Sequence, residues 1–305
     1  MLTFSRFILI FAFVKRVDFQ KIQRLIKTAL AEDLGPGDIT TNLIIPQGLK
    51  GEGIIIAKEK GVISGLTVAK SVFKQIDPKL VFKSFIQDGT EVKSNSKVAL
   101  VKGRAKSILA AERTALNFLQ RLSGISTLTK EYVKKIKGTK VKILDTRKTT
   151  PGMRLLEKYA VRAGGGKNHR KGLYDMILIK DNHIKSAGSI SSALKKAQKG
   201  RRNFKIEIET KNLKQVKEAL SFKLDWIMLD NFKLKDLKKA VKLIRSKDKK
   251  VKIEASGQVN LKNVKKFALS GVDYISVGAL THSAKALDLS LIFPGNRSVG
   301  KVSRR

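Results

Sequence analysis

Between residues 141 and 279 the sequence repeats one rhythm: a short apolar run, a polar or glycine-containing tip, then an amphipathic stretch. The runs are VKILDTRK (141–148), DMILIKDN (175–182), FKIEIET (204–210), WIMLDN (226–231), VKIEASG (251–257) and YISVGA (274–279). Runs this continuous suit strands buried on both faces. With helical periodicity in the gaps, as at 213–220 and 234–244, they predict βαβ units and a parallel sheet. Every polar tip falls at the same end of its strand: Thr146, Arg147 and Lys148; Lys180, Asp181 and Asn182; Glu209; Asp230 and Asn231; Ser256 and Gly257; Gly278. In a β/α barrel those ends meet around one mouth, whereas an open doubly wound sheet collects only the tips beside its switch point. The expected fold class is therefore α/β with an irregular, incomplete β/α barrel, because six runs can be read and not eight.

Upstream the rhythm differs. Apolar positions recur at helical spacing over residues 18–32, and Gly35, Pro36 and Gly37 break the pattern. Short strand-like runs follow (GIIIA, GVISG, LVFKSFIQDG, KVALVKG), with a helix expected at 66–75 and a strong one at 108–122. These describe a small α+β domain over 18–115, ahead of a barrel over 116–283. The apolar stretch 7–14 within the extension 1–17 is too short to span a bilayer and is expected to pack as a helix or to be a translated extension. Residues 295–305 form an expected basic, flexible tail.

A chain of 305 residues can build two domains with full cores. Its net charge of +39 invites a nucleic-acid or membrane reading, but the lysines are scattered over helix faces, as in LKDLKKAVKLIRSKDKK, and few aromatics interleave with them. Neither a nucleic-acid nor a membrane partner is expected. A basic binding protein built on an inactive barrel is the alternative of a different class. The absence of cysteine excludes disulfides, zinc–thiolate sites and thiol nucleophiles, and fits a cytoplasmic compartment. No Walker loop occurs, nor a GxGxxG fingerprint after a strand, which removes support from kinase and dehydrogenase readings.

Chemistry concentrates in residues 145–171. There Arg147, Lys148, Arg154, Lys158, Arg162, Lys167, Arg170 and Lys171 surround only Asp145 and Glu157, interleaved with threonines, a Pro-Gly turn, Gly164 to Gly166 and His169. Guanidinium captures planar carboxylate or phosphate bidentately and ammonium acts as a point charge, so the segment reads as the floor of a site for a polyanionic small molecule. Glu209 and Asp230 are isolated acids at strand tips, suited to a divalent metal, sugar hydroxyls or a developing positive charge, or else to an ion pair with Lys180 or Lys148. Glu207 shares a face with Glu209, and the tip position favours Glu209 as the ligand-facing acid. His169 is either a ligand-contacting donor or a loop brace, and His282 either a phosphate donor or a cap. SGQ at 256–258 and VGA at 277–279 look like tips that bind a phosphate through backbone amides.

Taken in order, ERTALNFLQRLSGIST, DTRKTTPGMRLLEKYAVRAGGGKNHRKGLYDMILIKDNHI, IEIET, IMLDNF, EASG and DYISVGALTHS resemble the carboxylating nicotinate-nucleotide pyrophosphorylases, that is, the quinolinate phosphoribosyltransferases, from about residue 30 to residue 293. The resemblance implies an N-terminal α/β sandwich to which residues 284–294 return, and a homodimer or larger oligomer with active sites shared between subunits. It implies transfer of phosphoribose from 5-phosphoribosyl-1-pyrophosphate to quinolinate with Mg²⁺, in NAD biosynthesis. Related transferases acting on another aromatic acid share the scaffold. By motif, the likeness gives the quinolinate carboxylates to Arg147, His169 and Arg170, with Thr146 beside them and Arg113 reaching in from a neighbouring subunit. Lys148 and Lys180 meet the phosphoribosyl pyrophosphate and the reacting centre, and Glu209 and Asp230 the ribose and the metal. Ser256, Gly257, Gln258, Gly278, Ala279 and His282 surround the 5-phosphate. Gln258 departs from the pattern, which more often has a small residue or Asn there.

Overall fold

A computed structural model describes residues 16–293 with the exception of Arg202. The expected tail, and the extension up to residue 15, lie outside the described residues. The chain divides into two compact units: residues up to Gly124 together with those from Ala286 on, and Ile125–Lys285.

The first unit opens with α1 (Arg16–Leu34), whose apolar stripe buries Ile26 and Leu30. Gly35 and Gly37 follow at φ of 50° and 139°, where a side chain would be strained, and so the helix stops at the LGPG sequence. The short α2 (Ile39–Ile44) starts on Asp38, whose carboxylate accepts the Thr41 N–H at 2.9 Å. β1 (Lys50–Ala57), β3 (Val81–Ser84), β5 (Lys97–Arg104) and β12 (Leu289–Ile292) form an antiparallel sheet in the order β12-β1-β5-β3. The chain's end thus returns to the first unit through β12, which pairs with β1. The GVISG run yields only the two-residue β2 (Gly61–Val62), paired with β4 (Glu91–Val92). Between β2 and β3, α3 (Leu66–Ile76) buries Val68, Ala69, Val72 and Phe73 on one face, with Phe73 5.8 Å from Phe82.

Asp77 caps α3 and is fully packed, accepting from Arg104 Nε at 2.8 Å, the Lys79 N–H at 3.0 Å and the Ser107 hydroxyl at 3.1 Å. The Arg104 guanidinium, then the Lys79 amide, hold its carboxyl down at about 2 from 3.8. A carboxyl depressed on folding contributes stability that is complete above its unfolded pKa and is lost as pH falls through the folded one. Thermal melts should therefore lose midpoint between pH 3.8 and about 2, and Asp77→Asn should flatten that part of the profile. An unchanged acid slope in the variant would remove Asp77 from the account.

α4 (Ala105–Lys135) is longer than the helix expected at 108–122, and it moves the domain boundary from 115/116 to 124/125. Its one glycine, Gly124, stands where the packing partners change, but no proline follows it and the helix runs on through it. Leu116, Leu119 and Leu122 belong to the first core, while Ser126 bonds the Ala160 carbonyl at 2.8 Å within the second unit.

In the second unit all six expected strands form, shorter than their runs: β6 (Lys142–Leu144), β7 (Ile177–Ile179), β8 (Ile206–Thr210), β9 (Trp226–Asp230), β10 (Lys252–Ser256) and β11 (Tyr274–Ser276). They are parallel in the order β6-β11-β10-β9-β8-β7. Each strand from β7 to β11 neighbours the next, and the last pairs with the first, which is barrel order with one open seam between β6 and β7. After α5 (Arg154–Ala163), the glycine segment lies along β6 at that seam. Lys167 N donates to Ile143 O at 2.8 Å and Lys167 O accepts from Asp145 N at 3.2 Å. Gly164 permits this approach, since a Cβ there would stand 2.4 Å from the Ser126 carbonyl. The remaining helices, α6 (Asp181–Ala187), α7 (Ile190–Gly200), α8 (Leu213–Ala219), α9 (Leu234–Lys247), α10 (Val264–Ala268) and α11 (Ala279–His282), follow β7 to β11. Ile143, Ile206, Ile208, Ile227, Leu229, Ile253 and Ile275 are fully buried between these layers.

Candidate active site

The strand tips of the second unit open into a cavity of about 720 Å³. Thr146, Arg147 and Lys148 line it after β6, His169 and Arg170 at the seam, Lys180 after β7, Glu209 on β8 and Asp230 on β9. Ser256, Gly257 and Gln258 enter from β10, and Gly278, Ala279 and His282 from the end of β11 and the short α11. The expected site residues are thus brought to one cavity, with the exception of Arg113. That residue is exposed on α4 in the first unit and does not line this cavity. Leu178, Met228, Asn231, Glu254, Val259, Ser276 and Val277 complete the lining.

The cations come first. Arg170 is almost fully buried, its amide donates to His169 Nδ1 at 2.8 Å and its Nη1 to the Met176 carbonyl at 3.2 Å. Burial, then the Arg147 charge beside it, pushes this guanidinium below its usual value, with Glu207 and Asp175 pulling the other way. Arg147 Nε is buried and has no partner among the described residues. An unpaired buried donor beside a second guanidinium calls for an acceptor from outside the protein. Lys148 is anchored through its backbone: its N–H meets the Thr146 hydroxyl at 3.0 Å and its carbonyl accepts from Thr281 at 2.7 Å.

The acids sit on neighbouring tips. Glu209 Oε2 lies 3.1 Å from Lys180 Nζ, so an ion-pair contact and a cavity position coexist in one carboxylate. Asp230 accepts from the Asn231 amide at 2.9 Å. Both offer hard oxygen donors at the mouth, a set that suits Mg²⁺ completed by substrate oxygens and water. A second group, His169, Glu207 and Glu254, has its donor atoms within 4.8 Å of one another. Within that group His169 Nε2 stands 2.9 Å from Glu207 and 3.3 Å from Glu254, and Ser276 donates to Glu254 at 2.6 Å, while Glu207 Oε1 and Glu254 Oε2 have no hydrogen-bond partner among the described residues.

The geometry engages His169 as a loop brace, and its side chain also lines the cavity in which the resemblance sets it beside the ligand carboxylates. Its two ring nitrogens are both engaged inside the protein. Since Nδ1 accepts from the Arg170 amide, the ring proton sits on Nε2, facing the carboxylates. Burial opposes a second proton while the Glu207 and Glu254 carboxylates pull the ring upward, but an imidazolium would leave the Arg170 amide without its Nδ1 acceptor, so the ring these contacts describe is neutral. Glu207 is itself raised to about 7, chiefly by burial and then by the Glu254 charge. His183 caps α6, its Nδ1 accepting the Lys180 N–H at 2.9 Å. His282 Nδ1 lies 2.6 Å from the Ser283 hydroxyl at the end of α11, with the ring lining the cavity.

Opposite the cations, backbone conformation shapes the cavity. Gly257 has φ of 88°, and a Cβ would fall 2.1 Å from Asn231 Oδ1. Asn231 and Gln258 adopt φ of 56° and 42°, so one left-handed position after β9 and two after β10 shape the facing tips. Gln258, the departure from pattern, occupies a conformation that Gly or Asn takes more readily. At Gly278 a Cβ would crowd the Lys148 chain and the His282 ring at 3.2 Å each.

Sequence reasoning missed Glu254 and could not place Glu207. Both are fully buried acids inside apolar strands, two residues before a tip that faces the cavity, and that alternation is the signal that could have found the pair.

The family model described as quinolinate phosphoribosyl transferase, N-terminal domain, matches residues 38–123, and the one described as its C-terminal domain matches 125–292. A Nicotiana tabacum protein named mitochondrial quinolinate phosphoribosyltransferase [decarboxylating] 2b is 43% identical over 290 residues, covering 88% of this chain and 81% of its own length. A probable nicotinate-nucleotide pyrophosphorylase [carboxylating] of Synechocystis sp. is 45% identical over 270 residues, covering 86% and 89%. The nicotinate-nucleotide pyrophosphorylase structure from Ehrlichia chaffeensis superposes with a TM-score of 0.85 at 42% identity, covering 89% of this chain and 98% of that one. With both family models matched end to end, relatives above 40% identity over most of their length, and the same architecture, the chain belongs to the quinolinate phosphoribosyltransferase family.

Proposed function

We propose that this chain transfers the phosphoribosyl group of 5-phosphoribosyl-1-pyrophosphate to the ring nitrogen of quinolinate, giving nicotinate mononucleotide, pyrophosphate and carbon dioxide, a step of NAD biosynthesis. The observation that carries the reading is one cavity holding Arg147, Lys148, Arg170 and Lys180 opposite Glu209 and Asp230, for two substrates that are both multiply anionic. Arg147 and Arg170 take the adjacent carboxylates of the pyridine ring, and Lys148 and Lys180 the charge of the phosphoribosyl pyrophosphate. Glu209 and Asp230 face the ribose. The amides and hydroxyl of 256–258 and 278–279, with His282, receive the 5-phosphate. The lone pair of the ring nitrogen forms the new bond to the sugar carbon as the bond to pyrophosphate breaks. Positive charge grows on the ribose between the two acids, so positioning and electrostatics suffice and no protein nucleophile is needed. The 2-carboxylate then leaves as carbon dioxide, and the electron pair left on the ring carbon, beside the positive nitrogen, takes a proton. Glu209 and Asp230 would hold Mg²⁺, which would supply neutralisation of the pyrophosphate charge.

The same proposal includes a homodimer or larger oligomer with Arg113 contributed to a neighbour's site, and a cytoplasmic location. Among the described residues no helix is long and apolar enough to cross a membrane. Relatives named for mitochondria and chloroplasts carry the competing compartments, which cell fractionation distinguishes. The deciding assay is quinolinate-dependent release of pyrophosphate and carbon dioxide with phosphoribosyl pyrophosphate held constant, run beside a panel of other pyridine and azole acids. Preference for another acid would move the chain to a sister activity. If sites are shared, an Arg113→Ala chain mixed with a Lys148→Ala chain should regain part of the activity that each homo-oligomer lacks. No recovery in proven mixed oligomers would remove Arg113 from the site.

A further inference from the structure

We propose that Glu207 and Glu254 are positioning residues for the dicarboxylate substrate: gripping His169 from inside the barrel, they fix the Arg170 main chain and so aim the Arg147–Arg170 pair. The proposal rests on the reading of this cavity as a quinolinate site.

Glu207 on β8 and Glu254 on β10 are fully buried, and both turn to the same imidazole edge, at 2.9 and 3.3 Å from Nε2. Oxygen Oε1 of Glu207 and Oε2 of Glu254 have no hydrogen-bond partner among the described residues. An apolar layer would be the cheaper way to fill a barrel, so an acid pair spent on one histidine points to placement and not to packing. Ser276 locks Glu254 from the other side at 2.6 Å. The imidazole is thereby pinned at Nε2, and its Nδ1 takes the Arg170 N–H at 2.8 Å. The His169 backbone is held too, its N–H by Asp145 at 2.9 Å and its carbonyl by Lys158 at 3.1 Å. Residue 169 is therefore fixed through its N–H, its carbonyl and both ring nitrogens, and the residue it fixes next is the buried guanidinium of the cavity.

The Arg147 charge lowers the proton affinity of Arg170, and two such like charges would splay apart if free. The Glu207 charge beneath Arg170 offsets that repulsion without entering the cavity, since Glu207 does not line it. Both cations then remain available for neighbouring carboxylates of one planar ring, the geometry that distinguishes a vicinal diacid from a monoacid.

The chain has a built-in reporter. Trp226 is its only tryptophan, edge-on to His169 at 6.2 Å and stacked on Tyr274 at 4.3 Å, so its emission senses how the imidazole is held. Glu254→Met should raise KM for quinolinate about 10- to 100-fold, with KM for phosphoribosyl pyrophosphate within about twofold, the range seen when an outer partner of a binding group is lost. Glu254→Gln, which keeps an acceptor oxygen for Nε2–H, should recover most of the loss. Tryptophan emission should shift in the Met variant and return towards wild type in Gln. In a His169→Ala background the Glu254 substitutions should change neither KM further, because they act through the ring. Should the Met variant not fold, the same cycle is read with Glu254→Gln and Glu207→Gln, whose smaller effect must likewise vanish without His169. Equal losses in both KM values, or additivity in the His169→Ala background, would overturn the proposal. A wild-type chain that binds and turns over no quinolinate would instead defeat the functional reading beneath it.

Discussion

Alanine at Arg147 or at Lys148 should lower kcat/KM for quinolinate by about 100- to 1,000-fold, the usual cost of deleting one charged or oxyanion-type donor from a preorganised site. The melting curve should barely move. Among the described residues Arg147 Nε has no partner, and Lys148 is secured by its backbone through Thr146 and Thr281, with no ion pair of its side chain. Neither side chain is therefore spent on the fold, and removing an anion receptor relieves like-charge crowding around Arg170. The two losses should differ in kind. Arg147→Ala should act mainly on KM for quinolinate, since its guanidinium has the geometry for a carboxylate. Lys148→Ala should act on kcat as well, since an ammonium beside Gly278 stands where charge moves during transfer. Steady-state kinetics beside a thermal melt check both. Unchanged turnover in both variants would refute the assignment of the cavity.

How much of this was legible depends on the distance over which each contact is made. Strand tips could be read because each is a local event, an apolar run ending in a polar residue, and all six converged in one unit as barrel order requires. Even so, VKILDTRK contributes only Lys142–Leu144 to β6, because Asp145 is drawn into side-chain bonds with Lys158 and Asn168. Within β8, alternation put Glu207 and Glu209 on one side, yet it could not show that one turns to a histidine and the other to Lys180. Those partners are 38 and 29 residues away, and no pattern in the chain announces such a pairing. The boundary inside α4 was hidden for the opposite reason: an unbroken helix changes partners without changing its sequence pattern. Gln258 was visible as an odd residue, but only the backbone shows that it occupies a left-handed position.

Lys158→Met should cost about 3–5 kcal/mol of stability, the typical penalty for stranding a buried charge, and so a large part of what a domain has. Asp145 is fully buried and Lys158 nearly so, and they form a direct ion pair. Burial pushes the Asp145 carboxyl up and the Lys158 ammonium down, each opposed by its partner, so either charge alone is a liability. The double variant Asp145→Asn/Lys158→Met removes both charges while leaving an acceptor for the His169 amide, and should regain more than half of the lost stability. Activity should return less fully than stability, because Lys158 also holds the His169 carbonyl at 3.1 Å. Its neighbour Glu157 secures the other flank of the basic loop, accepting from the Thr150 hydroxyl at 2.8 Å and amide at 3.1 Å. Adjacent residues of α5 thus anchor both sides of the cationic floor, which is why a charged pair persists where an apolar one would fold as well. Urea titrations of the wild type and the two variants measure the loss and the recovery. A loss below about 1 kcal/mol for Lys158→Met, the scale of an exposed pair, would mean the charges are better solvated than their burial implies.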